Sequence, residues 1–344
     1  MKGGLAAAMV IVAEQIPQQI TLELVKSFEP TIPHLEEVAR DLTEFLSDED
    51  LIKPCTRLGW FYKDQGLYEL AEFWFQRCKT LAETRLGNEH PDFATSLNNL
   101  ATLYYSQGRY SDAKPLFKQA IKVFEHSLPE YHPDLAASLN NLAQIYYSQE
   151  CYSDAEPLYK QAIDKCSLPQ EHLALATYLN NLAGLYHSQK RYSDAEPLYN
   201  RALAINRSLP KDHPYLAKSL NNLAGLYQSQ RRYSEAELLY NEALEIARHS
   251  LHQDHPSLAT NLNNLAQLYY SQGLYSKAEP LYLEALGICD RSLGSEHPNT
   301  VTVLENFVGF LMQVVSEGQE SLLSEHPLVH KFLAMIKEED ELEM

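Results

Sequence analysis

The sequence has few of the residues that cross-link or hold a metal in small proteins. Among 344 residues there are five cysteines, an odd number, and no two of them form a Cys-x-x-Cys pair. This pattern gives no support to a disulfide framework or a zinc ribbon, so we predict reduced thiols in a cytoplasmic helical protein. The cysteines are Cys55, Cys78, Cys151, Cys166 and Cys289.

Long hydrophobic runs and an excess of positive charge are also absent. The run GLAAAMVIVA near the start is too short to cross a bilayer, and we predict that it forms the apolar stripe of a leading helix. Asp and Glu number 46 against 28 Lys and Arg, which gives a net charge of −18. An acidic surface argues against nucleic acid and against an anionic membrane as main partners.

Motifs that carry chemistry are missing as well. There is no phosphate-binding G-x-x-x-x-G-K-[ST] segment, and no nucleophile–base pair or pair of carboxylates stands out. His249, His252 and His255 follow one another at steps of three, but no Cys or carboxylate cluster completes four zinc ligands. We therefore predict a protein that is not an enzyme and has no cofactor and no metal site.

The dominant feature of the sequence is a repeat. The segment SLNNLAQIYYSQECYSDAEPLYKQAI, residues 138–163, occurs four more times with small changes. The first Asn of its Asn-Asn pair recurs at steps of 42, 40, 41 and 42 residues, at Asn98, Asn140, Asn180, Asn221 and Asn263. A fixed period of this size indicates units that stack into a solenoid, each too small to bury its apolar face alone.

The sequence of each unit predicts two helices. An apolar stripe at helical spacing marks the first helix, at Leu139, Leu142, Ala143 and Tyr146. Ser153 to Glu156 has the pattern of a capping box, which predicts the start of the second helix. Small residues at Ala143, Ala155 and Ala162 allow the two helices to approach closely.

A His-Pro pair precedes four of the five units, and a fifth pair follows the last unit. The histidines are His90, His132, His213, His255 and His297, and the remaining unit has His172-Leu173. One His per unit lies a whole repeat from the next, which argues against a shared metal. We interpret each pair as a helix start, with Pro in the first turn and the His ring capping or packing.

At these positions the unit resembles a tetratricopeptide repeat (TPR) of the 42-residue kind found in kinesin light chains. The consensus positions are Leu142, Ala143, Tyr146, Tyr152, Ala155, Tyr159 and Ala162. The chain also resembles cyanobacterial TPR proteins, including TPR arrays that follow NB-ARC-type signalling ATPase domains. The resemblance implies an all-α fold, a right-handed α-solenoid of TPR helix-turn-helix repeats with atypical capping helices at both ends.

We predict three regions along the chain. Residues 1–50 form an N-terminal helical cap or linker, and residues 299–344 form C-terminal capping helices with an acidic, frayed tail. Between them, residues 51–298 form the TPR array, with one worn unit at 51–89 and five clean units at 90–298. Both tryptophans, Trp60 and Trp74, fall in the worn unit. They are interpreted as large rings that cover an open end of the array, with a partner-binding anchor as the alternative.

The resemblance also implies a binding groove, because the first helix of each TPR unit lines the concave wall. The second Asn of each pair matches the Asn with which TPR domains hold a peptide main chain: Asn99, Asn141, Asn181, Asn222 and Asn264. The first Asn has two open readings, a ladder that fixes the register of the units or peptide binding. Variable positions follow at Tyr105, Tyr147, His187, Gln228 and Tyr270. Lys218 is a rare cation on the same wall, and Arg57 takes the second-Asn position of the worn unit.

We therefore expect a protein–protein interaction module that binds an extended peptide or protein segment in the groove through an Asn ladder. One alternative is a structural or self-associating scaffold in which the Asn residues serve only register. Another is the detached sensor half of an NB-ARC-type signalling protein, because IPHLEEVARDLTEFLSDEDLIKP is similar to the linker before such arrays. Fold alone does not decide between them.

Overall fold

The computed structural model describes residues 2–17, 22–129, 131–166, 172–210, 213–250 and 254–343. Helices make up the secondary structure of these ranges, and no strand occurs in them. The expected all-α fold of helix-turn-helix repeats is therefore confirmed. None of the helices in these ranges is both long and apolar enough to cross a membrane.

The chain divides into two compact units, Met1–Ala174 and Leu175–Met344. The first unit contains α1 Lys2–Gln15, α2 Leu22–Phe28, α3 Ile32–Asp41, α4 Lys53–Asp64, α5 Tyr68–Arg85, α6 Pro91–Ser106, α7 Tyr110–Ser127, α8 Pro133–Ser148 and α9 Tyr152–Lys165. Helix α10 His172–Ser188 begins at the end of this unit. The second unit continues with α11 Tyr192–Asn206, α12 Pro214–Ser229, α13 Tyr233–Ser250, α14 Pro256–Ser271, α15 Tyr275–Leu293, α16 Pro298–Ser316 and α17 Pro327–Glu343.

Within each unit, the two helices of a repeat pack against each other. The pairs are α4 with α5, α6 with α7, and α8 with α9 in the first unit, and α12 with α13 and α14 with α15 in the second. Five second helices also contact the first helix of the next repeat: α5 with α6, α7 with α8, α11 with α12, α13 with α14 and α15 with α16. The core is therefore distributed over the stack, as expected of repeats whose contacts are with neighbours only.

A small residue at the centre of each first helix allows this pairing. In the clean repeats it is alanine, with no exposed surface, at Ala101, Ala143, Ala183, Ala224 and Ala266. In the worn repeat it is Gly59, where a Cβ atom would lie 2.6 Å from Cδ1 and Cζ of Phe75. Phe75 is itself fully buried and packs edge-on against Trp60. The expected close helix contact is therefore confirmed.

The turn between the two helices closes through a main-chain hydrogen bond that the sequence pattern did not reveal. One residue adopts a positive φ of 57–75°, a glycine in some repeats and Glu150, Lys190 or Arg231 in others. The N–H of the next residue then donates to a tyrosine carbonyl five positions back, for example Cys151 to Tyr146 at 2.8 Å. This is a Schellman-type helix end, and it makes Cys151 the residue that precedes the second helix.

The predicted capping box is therefore wrong. Helix α9 begins at Tyr152, so Ser153 already lies inside the first turn and Cys151 makes no side-chain cap bond. In repeats with Arg before the Tyr, that Arg pairs with the acidic residue three positions on, as Arg191 does with Asp194 at 2.8 Å. Side chains thus close the first turn without a serine cap.

The His-Pro interpretation is confirmed. Each His is the N-cap residue of a first helix, and its Nδ1 accepts a hydrogen bond from the main-chain N–H two residues on. The distances are 3.1–3.3 Å for His90, His132, His213, His255 and His297. His326, before Pro327, makes the same bond to α17 at 3.2 Å and was not singled out from the sequence.

The two ends of the chain differ in part from expectation. Apolar residues at helical spacing from Ile32 to Leu46 predict one helix, but α3 ends at Asp41 and a short 3-10 turn follows at Thr43–Phe45. The acidic tail is helical through Glu343, which differs from the frayed tail that the sequence predicts. Trp60 and Trp74 are buried, and in the described structure neither indole Nε1 has a hydrogen-bond partner. Burial favours the interpretation of both rings as covers of the worn repeat.

Substitution of Gly59 tests the close helix contact. We expect Gly59→Ala to cost about 1–3 kcal/mol of stability, because the new methyl group enters the space of the buried Phe75 ring. Gly309 is the matched control, since it lies in α16 and an added Cβ atom there would have no neighbouring heavy atom within 4 Å. Gly309→Ala should raise stability by about 0.5–1 kcal/mol through helix propensity. Urea unfolding followed by circular dichroism measures both, and equal effects would contradict the packing argument.

The histidine cap can be tested at His255. Replacing His255 by Ala removes the acceptor for the Ser257 N–H and should cost about 1 kcal/mol. His255→Asn should retain most of the stability, because the Asn side chain is a good N-cap acceptor. Thermal unfolding of both variants and of the parent protein measures these changes in stability. A loss as large for Asn as for Ala would mean that the imidazole acts through packing.

Candidate peptide-binding surface

The structure places every predicted Asn on a first helix, but their surroundings differ. Of the second Asn residues, four are half-buried and Asn99 is buried, with its Nδ2 lacking a partner in the described structure. Of the first Asn residues, Asn140, Asn180 and Asn263 are buried. The second position is thus more open to solvent than the first.

The first Asn residues join neighbouring repeats. In the first unit Ser138 donates to Asn98 Oδ1 at 2.9 Å. In the second unit Asn180 Nδ2 donates to Ser219 Oγ at 3.0 Å, and Asn221 Nδ2 donates to Asn261 Oδ1. Asn263 accepts from Asn306 Nδ2 at 3.1 Å, which continues the pattern into α16. These bonds support the register reading of the first Asn.

Two second Asn residues, Asn222 and Asn264, take part in this ladder through long bonds. Asn222 Nδ2 donates to Asn180 Oδ1 at 3.5 Å, and Asn264 Nδ2 donates to Asn221 Oδ1 at 3.4 Å. Both distances exceed the usual range for N–H···O bonds. In the part of the chain that the structure describes, the carboxamide oxygens of Asn222 and Asn264 accept no hydrogen bond. Each side chain therefore keeps an acceptor for a ligand.

Asn222 and Asn264 lie in one cavity of about 430 Å³ between α12, α13 and α14. We call it the Asn cavity. It is lined by Tyr215, Ala217, Lys218, Asn221, Asn222, Ala247, Ser250, Ser257, Thr260, Asn261 and Asn264. Lys218 and Thr260 stand one helical turn before the Asn pairs, which is where the sequence predicted the groove wall to continue. Four predicted site positions, Lys218, Asn221, Asn222 and Asn264, therefore meet around one space.

The variable positions also make contacts within the array. His187 Nε2 lies 2.8 Å from Ser229 Oγ, and Gln228 Nε2 donates to Ser271 Oγ at 3.1 Å, so both contact the end of the next first helix. Burial lowers the pKa of His187, which favours its neutral ring. Tyr105 packs near Tyr110 with ring centroids 5.7 Å apart, and burial raises the pKa of its hydroxyl. The same tyrosine contact recurs at Tyr147, His187 and Tyr270.

Arg57 does not offer a free cation on this wall. Its Nη1 donates to the main-chain carbonyl of Ile16, just after the end of α1, at 2.8 Å. The repeat pattern puts Arg57 in the slot of a second Asn but does not indicate this partner, because the two residues lie 41 positions apart.

Sequence reasoning missed a second polar link between repeats. Glu72 on α5 accepts from Tyr104 Oη at 2.7 Å and from Arg109 Nη1 at 2.9 Å in the next repeat. In the second unit Glu237 accepts from Tyr269 Oη at 2.8 Å, and Arg232 pairs with Glu196 at 2.9 Å. The recurrence of Glu early in the second helix and Tyr late in the next first helix was the available signal.

No group of three or more His, Cys, Asp or Glu residues in the described ranges could hold a metal ion. His252, one of the three closely spaced histidines, lies outside those ranges.

Comparison with known families supports the repeat assignment. A family model described as Tetratricopeptide repeat matches residues 55–126, 171–249 and 254–307. A second model of the same description matches residues 98–168. The two models together reach from the worn unit to α16. A search of curated proteins found no match.

Solved structures of similar fold include three of note. BtubC from P. vanneervenii is 22% identical over 67% of this chain and 94% of its own, with a TM-score of 0.55. A putative kinesin light chain with nearly identical TPR-like repeats from Podosopora anserina is 26% identical over 60% of this chain and 99% of its own, with a TM-score of 0.51. A Rap protein complexed with competence and sporulation factor is 16% identical over 98% of both chains, with a TM-score of 0.58.

The register role of the first Asn is testable at Asn180. We expect Asn180→Ala to cost about 1–3 kcal/mol, because it deletes the bond to Ser219 and leaves Asn222 Nδ2 without its acceptor. Asn241→Ala is the matched control, since Asn241 is exposed, donates to a carbonyl of its own helix and otherwise hydrogen-bonds only the Tyr269 hydroxyl in the described structure. That control should stay within about 0.5 kcal/mol. Similar unfolding curves for the two variants would contradict the ladder.

Proposed function

The chain belongs to the tetratricopeptide repeat family, whose fold mediates protein–protein interaction. We propose that it binds an extended peptide or protein segment through its second Asn residues. The proposal places the ligand main chain against Asn222 and Asn264 in the second unit. The corresponding residues of the other repeats, Asn99, Asn141 and Asn181, are proposed to act in the same way. TPR proteins are typically non-enzymatic scaffolds, and no catalytic role is proposed.

The Asn cavity is the observation that carries this proposal. It brings together two carboxamide oxygens without donors and the ammonium group of Lys218. Peptide N–H groups are the natural donors for such oxygens, and two successive repeats then hold one chain at two points. The long bonds of Asn222 and Asn264 to the ladder are weak enough to be exchanged for bonds to a ligand carbonyl.

The rest of the Asn cavity bears on ligand selectivity. Main-chain bonds do not distinguish one sequence from another, so side-chain preference must come from the lining. Ala217, Ala247 and Tyr215 present apolar surface, and Tyr215 is 40% exposed and stacked on His213. Lys218 is exposed and makes no ion pair in the described structure. A segment with an apolar side chain and a nearby carboxylate fits this lining.

The scaffold alternative draws support from the ladder of first Asn residues. Those residues bond neighbouring repeats and need no ligand to explain them. The alternative does not explain the second Asn residues, whose oxygens remain without donors at Asn222 and Asn264. We therefore assign register to the first Asn and binding to the second. The five free thiols support a cytoplasmic location for this activity.

The test uses peptides selected from a random display library on the intact protein. Changing both Asn222 and Asn264 to Ala should weaken a selected peptide by about 1–3 kcal/mol, or roughly 5- to 150-fold in Kd. Asn241→Ala, on the outer surface of α13, is the control and should leave Kd unchanged. Melting curves must show the double variant folded. If a folded double variant binds every selected peptide as well as the parent, the proposed function is wrong.

A further inference from the structure

The worn repeat carries two cations in the slots that form the Asn cavity elsewhere. Arg57 stands in the second-Asn position of α4, and Lys53 lies one turn before it, the position of Lys218 relative to Asn222. The worn repeat therefore has a charged version of the same pair of slots.

Both cations are occupied by the chain's own N-terminal segment. Lys53 Nζ pairs with Glu14 at 2.6 Å, and Arg57 Nη1 donates to the Ile16 carbonyl at 2.8 Å. Lys53 also pairs with Asp50 at 2.8 Å, within the loop that leads into α4. The proposed function assigns the same two contacts to a bound segment. Its carboxylate pairs with the Lys position, and its main-chain carbonyl accepts from the second-Asn position.

The end of α1 is also anchored by apolar side chains. Ala13 and Ile16 are fully buried, and α1 packs against α3 and α4. Its earlier turns belong to a separate small cluster, in which Ala6 and Val10 meet Val38 and Leu42 of the α3 region. Beyond that cluster Ile11 is 59% exposed. Only the last residues of the segment therefore touch the two slots.

We infer that Glu14 to Ile16 is an internal ligand, which fills the binding slots of the worn repeat and is displaced by a partner segment of the same chemistry. This inference rests on the proposed function, because it treats the Lys and second-Asn slots as binding positions. The partner chemistry is that of the internal segment: an acidic residue followed, two positions on, by an aliphatic residue whose carbonyl is bound. Arg57 and Lys53 give this end of the array its preference for acidic segments.

Competition follows from the covalent link. A segment on the same chain meets its own site at an effective concentration set by the intervening chain, which here contains α2 and α3. A free segment of equal intrinsic affinity therefore binds weakly until the internal one is disabled. The exchange needs local opening of the end of α1, in which the partly exposed Glu14–Lys53 pair breaks and Ala13 and Ile16 leave their buried positions.

The experiment uses a fluorescent synthetic peptide that copies residues 8–17, titrated into the full chain. The test variant is Glu14→Lys with Ile16→Asp, which disables the internal segment and leaves Lys53 and Arg57 in place. The peptide should bind this variant at least roughly tenfold more tightly than the parent, because the competing segment is gone. Adding Lys53→Ala and Arg57→Ala to the test variant should abolish binding. A peptide that carries the same two changes as the variant should not bind.

Two results would overturn the inference. One is equal binding, or none, to the parent and a folded test variant. The other is binding that survives removal of Lys53 and Arg57. Amide exchange supplies a second readout: the test variant should lose protection in α1 and keep it in α4 and α6. If α4 loses protection together with α1, the segment is part of the repeat core and is not a ligand.

The two proposals can fail separately. The test variant leaves Asn222 and Asn264 unchanged, and the library peptides of the earlier test are selected without reference to residues 8–17. If the peptide of residues 8–17 fails to bind as expected, the Asn cavity still stands as a binding site. If the Asn222 and Asn264 variant binds its peptides unchanged, the test of residues 8–17 at Lys53 and Arg57 still gives its own answer.

Discussion

Close approach of the two helices in each repeat is the contact on which the other interactions depend. It requires a residue with almost no side chain at the centre of the first helix, alanine in the clean repeats and Gly59 in the worn one. The opposite face of that helix is thereby held at a fixed distance from the next first helix. Only at that distance can Asn180 reach Ser219, or Ser138 reach Asn98. Packing in the core thus sets the geometry of the polar surface.

The two Asn residues of a pair have different roles because they are adjacent on a helix. Neighbouring positions are rotated by about 100°, so one points between repeats while the other points outward. Asn180 is bonded to the neighbouring repeat, whereas Asn222 keeps an oxygen without a donor. In the worn repeat Thr56 and Arg57 replace the pair, and the outward position binds the chain's own Ile16 carbonyl. One position of the repeat therefore keeps its direction while its chemistry changes.

Much of the fold could be predicted because it depends on local periodicity. The apolar stripe predicted the first helices, the small residues predicted the close contact, and the His-Pro pairs predicted the helix starts. The capping box was wrong because a main-chain bond from Cys151 to Tyr146 makes Cys151 the N-cap, two residues before Ser153. The role of Arg57 was missed for another reason, since its partner lies 41 residues away and outside the repeat. For the candidate site, the repeat pattern aligned Asn222, Asn264 and Lys218, which line one cavity, but it did not indicate the bonds of His187 and Gln228 to the next repeat, because those depend on side-chain geometry between repeats.

The links between repeats have a consequence for how such a chain can change in length. Asn98 and Asn180 each bond a serine in the next repeat, 40 and 39 residues further along the chain. Glu72 and Glu237 each bond a tyrosine 32 residues further along. Each of these two kinds of link therefore recurs between the same two positions of adjacent repeats. A duplication or deletion of one whole repeat would recreate each link at the new junction. No amide or carboxylate of these links would then lose its hydrogen-bond partner. Gene recombination in register can therefore vary the number of binding positions without repair elsewhere in the chain.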